Sequence, residues 1–240
     1  MVKVRKKRGL KGTRIEPRSA ETTARERKTR KRSKDAREAL IGAALELFWE
    51  KGFAETNVRD VSERAGTNVS GIFYYFKSKE ELLIAALDRL SEMLYPALLA
   101  PAWEKVTDPL ERIFALLGRY REAILATNFA YGCPVGRLAV EISPGMVEAH
   151  GKIAANFEGW SRAVRECLVA AGDRIPKGTD LTALSRFVLT VMEGGVMQAR
   201  SYRSIEPFDQ SVAQLRDYIN RLMEQAVADS GNFWKSSLEK

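Results

Sequence analysis

A chain of 240 residues with 45% apolar content is long enough to bury a sizeable core, and 39 basic residues against 31 acidic ones leave it formally at +8. Two cysteines without paired spacing and one histidine supply no material for a zinc site, a Cys-x-x-Cys redox motif or a Ser-His-Asp triad. No apolar run approaches a membrane span or a secretory signal, so the expectation is a soluble, cytoplasmic chain, not an enzyme, with no metal, no cofactor and no membrane contact.

The charge is uneven. Residues 1 to 32 hold fourteen Lys or Arg against three Glu, which makes that segment +11 and leaves the rest of the chain at −3. With almost no large apolar side chains, residues 1–33 are expected to form a basic arm that stays disordered when free and neutralises nucleic-acid phosphates when bound; a solubilising tail would use the same composition.

From Lys34 to Glu50, Ala36, Ala39, Leu40, Ala43, Ala44, Leu47 and Phe48 fall on one helical stripe, and Gly52 follows as a stop. Two short helices on a tight Gly turn come next. The first runs from Val58 to Ala65, with Thr56 or Asn57 available as cap and Gly66 ending it; the second is capped by Asn68 and ends near Phe76, with Ile72 and Phe76 inward and Ser70, Phe73 and Tyr74 outward. Ser78-Lys79-Glu80-Glu81 is a capping box that opens a further helix. Two short helices at this spacing form a helix-turn-helix, whose second helix enters the DNA major groove.

The order Gly52-Phe53, Thr56, Val58-Arg59-Asp60-Val61, Ala65-Gly66, Ile72-Phe73-Tyr74-Tyr75-Phe76, Lys77-Ser78-Lys79-Glu80 resembles the TetR family of bacterial transcription regulators over about residues 34 to 90. The resemblance implies an all-α fold: a three-helix helix-turn-helix DNA-binding domain over 34–78, a larger helical ligand-binding and dimerisation domain over 79–230, and a short tail over 231–240. The head is expected to bring Thr67, Asn68, Val69, Ser70, Gly71 and Tyr74 to the base edges of a double-stranded operator, and Thr56, Tyr74, Lys77 and Lys79 to its phosphates.

In the body, the helix opened by Ser78 carries Leu82, Leu83, Ala86, Leu87 and Leu90 and then meets Pro96, so it links head to body as a lever. Asp108-Pro109 starts another, with Ile113, Phe114, Leu117, Tyr120 and Ile124 on its buried face. After a break at Tyr131-Gly132-Cys133-Pro134 come a short helix near Leu138 to Glu141, a long one from Ser143-Pro144 to about Ala171, and two more from Asp180 to Tyr202 and from Pro207 to Ala228. No segment alternates as a strand would. In the last pair, Leu181, Leu184, Val188, Val191 and Gly195, with Val212, Leu215, Ile219, Leu222 and Ala226, step by three and four and form narrow seams. Gly194-Gly195 implies a close helix approach, either within the chain or across a homodimer made by these two helices.

A small-molecule effector of unspecified identity is expected among the body's aromatic and apolar side chains, with Phe114, Leu117, Tyr120, Cys133, Phe157 and Trp160 as candidate lining; the same residues suit ordinary core. Cys133 at a helix entrance near Arg137 reads either as an ionised, electrophile-sensing thiol or as a small buried hydrophobe, and Cys167 as core. The functional expectation is a homodimeric repressor released from a palindromic operator by an inducer, with a ligand-independent architectural DNA-binding protein as the alternative.

Overall fold

The structure is a computed structural model that describes residues 20–238. Among them every regular element is helical. The chain divides after Glu38 into two units, residues 1–38 and 39–240.

Helix α1 (Ala20–Glu50) begins fourteen residues before the expected start at Lys34. The second half of the expected basic arm is therefore helical in this structure. Its sequence allows this: no Gly or Pro lies between Pro17 and Gly42. Residues 1–19 of the predicted arm lie outside the described residues.

From Ala39 onward, α1 ends where Gly52 takes a positive φ of 90°, and α2 (Val58–Arg64) and α3 (Val69–Tyr75) follow. Asn57, not Thr56, caps α2, accepting from Asp60 N, and Asn68 caps α3 by accepting from Gly71 N at 2.8 Å. A lost Asn cap costs about 1 kcal/mol, so these two residues set where each short helix begins. Ser78 caps α4 (Lys79–Met93), while the Glu81 carboxylate reaches back to Lys77 N rather than to Ser78 N.

Pro96 does not end the helical path. Lacking an N–H, it cannot close the usual i→i−4 bond, and the chain widens into π-helix over Leu94–Leu99 before resuming as α5 (Ala100–Trp103). Helix α6 (Pro109–Ala126) is capped by Asp108, as expected. Helix α7 (Pro134–Glu141) starts at Pro134, four residues earlier than its apolar face suggested, and α8 (Val147–Ala170) starts later than Ser143. Helix α9 (Leu181–Tyr202), capped by Asp180, and α10 (Glu206–Leu238) pack side by side, and α10 runs through most of the expected C-terminal tail.

Two buried clusters hold residues 39–240 together. One joins Leu110, Ile113, Leu116 and Leu117 of α6 to Val164 and Leu168 of α8, Val188 and Met192 of α9, and Phe208, Leu215 and Ile219 of α10. The other holds Leu40, Leu47 and Phe48 of α1, Val61, Ile72 and Phe76 of the head, Leu82, Leu83 and Leu87 of α4, and also Leu138 of α7 and Ile153 of α8. The three-helix head thus closes its core with helices that belong to the body by sequence. Each fully buried Leu or Phe contributes about 1.5–3 kcal/mol of burial, so separating head from α7 and α8 would expose several such side chains at once.

Leu184, Val188, Leu215, Ile219 and Ala226 are buried within the chain, and Gly195 closes on Phe208 of the same chain, where a Cβ would lie 2.9 Å from its ring. The glycine serves intramolecular packing. Facing away from it are Phe187, Met197 and Tyr218, all exposed, and Gly194, whose Cβ position is open space.

Candidate functional site

The helix-turn-helix presents a polar and aromatic face. Thr67, Asn68, Val69 and Ser70 are exposed around the start of α3, Tyr74 is 78% exposed, and Lys77 stands free in the following turn; Gly71 is half-buried between them. Large apolar side chains at Val69, Phe73 and Tyr74 remain uncovered on one short helix, beside groups that donate and accept hydrogen bonds. Such a surface suits contact with base edges, methyl groups and phosphates.

Three candidates are placed differently. Thr56 is 1% exposed and donates its hydroxyl to Gly52 O at 2.7 Å, so it ties the loop after α1 and offers nothing to a phosphate. Lys79 turns inward: its Nζ donates to Phe53 O at 2.7 Å and Thr56 O at 2.9 Å, and stands 4.2 Å from the centre of the Phe53 ring. Partial burial lowers its pKa, the neighbouring Glu55 opposing that shift. A lysine at the start of a helix opposes the dipole, and here three loop carbonyls, Ala54 O included, answer its charge instead of a phosphate. Asn68 uses its Oδ1 in the α3 cap, which leaves its amide N–H groups, rather than the whole amide edge, for a base.

The loop clamped by Lys79 is held from its other side by α7. Arg137 donates to Lys51 O at 2.7 Å and to Trp49 O and Glu50 O at 3.4 and 3.3 Å, covering the free carbonyls at the C-terminus of α1. Glu141 accepts from Arg137 Nε at 2.8 Å and from Phe53 N at 2.7 Å, and its carboxylate occupies the space a side chain at Gly52 would need. Trp49 Nε1 donates to Gly132 O at 2.7 Å, just before α7.

Behind α7 lies a cavity of about 380 Å³ between the two buried clusters. Of the candidate residues, Tyr120, Cys133, Phe157 and Trp160 line it, together with Trp49, Met93, Leu94, Leu98, Met192 and Glu193. Phe114 and Leu117 do not; both are buried in the α6 core, with the Arg216 guanidinium 3.6 Å above the Phe114 ring. Trp49 therefore belongs at once to the cavity wall and to the end of the helix that precedes the helix-turn-helix.

Cys133 is 8% exposed and caps α7, its sulfur accepting from Gly136 N at 3.4 Å. Burial pushes the thiol well above its ordinary pKa, and the Glu193 carboxyl adds to the shift. A thiol held protonated is a poor nucleophile, which favours the reading of Cys133 as a small buried hydrophobe over that of an ionised electrophile sensor. Cys167 is buried as expected, its pKa pushed up to about 11 by burial.

Glu193 was missed in the sequence. Burial raises its pKa, with the Cys133 thiol beside it pulling the other way, and its Oε1 has no hydrogen-bond partner; neither has the Nε1 of Trp160. A signal existed: Glu193 shares a helical face with Leu189, Met192 and Val196, where a lone acid is out of place.

Comparison with known proteins agrees with this geometry. Residues 40–86 match the family model described as bacterial regulatory proteins, tetR family, and residues 109–214 match the C-terminal domain of LmrA/YxaF-like transcriptional regulators. The transcriptional regulator TcmR of Streptomyces glaucescens is 30% identical, the match covering 70% of this chain and 71% of TcmR. The transcriptional repressor DhaR of a Mycobacterium species is 24% identical over 72% of this chain and 87% of its own. A TetR regulator from Chloroflexus aurantiacus superposes with a TM-score of 0.69 at 26% identity, covering 79% of this chain and 96% of that one. With the helix-turn-helix, the all-helical body and these relatives in agreement, the chain belongs to the TetR family of bacterial transcriptional regulators.

Proposed function

We propose that this regulator is a cytoplasmic homodimeric repressor that grips a palindromic operator through Thr67, Asn68, Val69, Ser70, Gly71, Tyr74 and Lys77, and lets go when a small effector fills the cavity behind α7. The observation that carries the reading is Trp49, which walls the cavity and donates to Gly132 O while sitting in the last turn of α1. A molecule that displaces Trp49 or Gly132 disturbs the Arg137 and Glu141 hydrogen bonds to residues 49–53, and through the Lys79 clamp the loop that leads into α2. Helix α7 thus joins α4 as a lever. An effector acts only to the extent that it prefers the DNA-incompetent arrangement, typically by about 1–3 kcal/mol. A relative named as a repressor supports the sign of regulation.

Dimerisation is assigned to the outer face of α9 and α10, around Phe187, Gly194, Met197 and Tyr218, where apolar side chains stand uncovered beside a helix surface without a Cβ in the way. The two-fold relation of such a dimer pairs one reading helix with each half of an inverted repeat. Selecting bound fragments from the native genome tests the proposal: an inverted repeat with half-sites about one helical turn apart is expected. Enrichment without any common sequence would favour an architectural DNA-binding protein instead.

A further inference from the structure

The cavity's chemistry narrows the effector that the preceding reading invokes. Its wall is mostly apolar and aromatic, with Trp49, Tyr120, Phe157 and Trp160 contributing rings. Around it, each element brings a defined charge. Helix α6 contributes Arg119, which is exposed and paired with Glu122 at 2.6 Å, and Tyr120, which burial holds protonated, with Cys133 and Glu193 adding to that effect. The segment entering α7 contributes Cys133, also held protonated. Helix α4 and the π-helical segment bring Leu90, Met93, Leu94, Ala97 and Leu98, and α8 brings Asn156, Phe157 and Trp160, none of them ionisable. That leaves Glu193 of α9 as the ionisable group of the lining without a partner for one carboxyl oxygen.

The carboxyl is built into place. It lies against Gly136 of α7, where any Cβ would collide with Oε2, so the absence of a side chain at 136 makes room for it. We propose that the effector is a lipophilic cation, a protonated amine on an apolar frame, whose nitrogen donates to Glu193 Oε1 while its frame stacks on the cavity's aromatic rings. Rings around a cation are attractive through their π faces, and an anion of the same shape would meet the Glu193 charge. An acceptor oxygen on the frame would satisfy Trp160 Nε1.

Calorimetric titration of the full chain with three matched probes tests this: naphthalene-methylamine, naphthalene-methanol and naphthalene-carboxylic acid. The amine should bind at least about tenfold more tightly than the alcohol, which is about 1.4 kcal/mol, and the acid more weakly than either. Glu193→Gln should bring the amine and the alcohol to within about threefold, and Glu193→Asp, which keeps the charge, should retain the amine's advantage. Helix content and melting midpoint of each variant establish that it is folded. Equal binding of the amine and the alcohol by the unaltered protein overturns the proposal, as does an amine preference that survives Glu193→Gln in a folded variant. Binding of none of the three up to millimolar concentration overturns it as well. The operator reading is measured on DNA without these probes and stands or falls separately.

Discussion

Lys79 shows how one side chain divides between two roles. Its ammonium holds Phe53 O and Thr56 O, so Lys79→Ala should lower stability by about 1–2 kcal/mol, the lysine being only partly buried. Affinity for DNA should fall through the loosened loop, but the dependence of affinity on salt should keep its slope. A slope reduced by about one unit would return Lys79 to the phosphates. Glu193 makes a second residue-scale prediction, from its raised pKa. A carboxyl whose folded pKa lies above its unfolded one adds stability that is fully present below the unfolded pKa, about 4.3, and is lost as pH rises through the folded value. Glu193→Gln cannot lose it, so the melting midpoint of the variant relative to the parent should rise between acid and neutral pH. A difference that stays flat across that range would mean that Glu193 finds a partner in solution.

Among the elements, α7 draws its importance from contacts far away in sequence. Arg137 covers three carbonyls at the end of α1, and removing it leaves them without a cation. Arg137→Ala should speed amide hydrogen exchange in residues 49–56 and cost about 1–3 kcal/mol; unchanged exchange there would detach α7 from the head. Helices α9 and α10 give a paired test. Gly195→Leu drives a side chain into Phe208 and should lower the melting midpoint, overpacking costing about 1–3 kcal/mol. Gly194→Leu meets open space in the chain, so it should leave the fold intact and weaken the dimer in sedimentation. A dimer of unchanged strength would move the interface off this face.

For the molecule as a whole, what was legible in the sequence follows the range of the interactions. The caps at Asn68, Ser78, Asp108 and Asp180 are local, each set by a side chain and an N–H two or three residues on, and the apolar stripes of α4 and α6 declare their buried faces. The reading of Ser70, Phe73 and Tyr74 as outward-facing needed only the pitch of a short helix. Lys79, Thr56 and Glu193 were not legible, because their partners are set by how the loop after α1 and the α7 entrance pack against distant helices. Gly195 was ambiguous for the same reason: a helical glycine promises a close neighbour without saying which. The early start of α1 went unseen because a charged segment almost without large apolar residues has no apolar period to read, only helix propensity.

The helix-turn-helix face is proposed to read one DNA sequence. Its most direct test is a titration, at physiological salt, of the unaltered protein against the best genomic fragment from the selection and a random duplex of equal length. A preference of at least about a thousandfold for the selected fragment is expected; affinities equal within a few-fold, falling together as salt rises, would show that the face binds DNA without reading it.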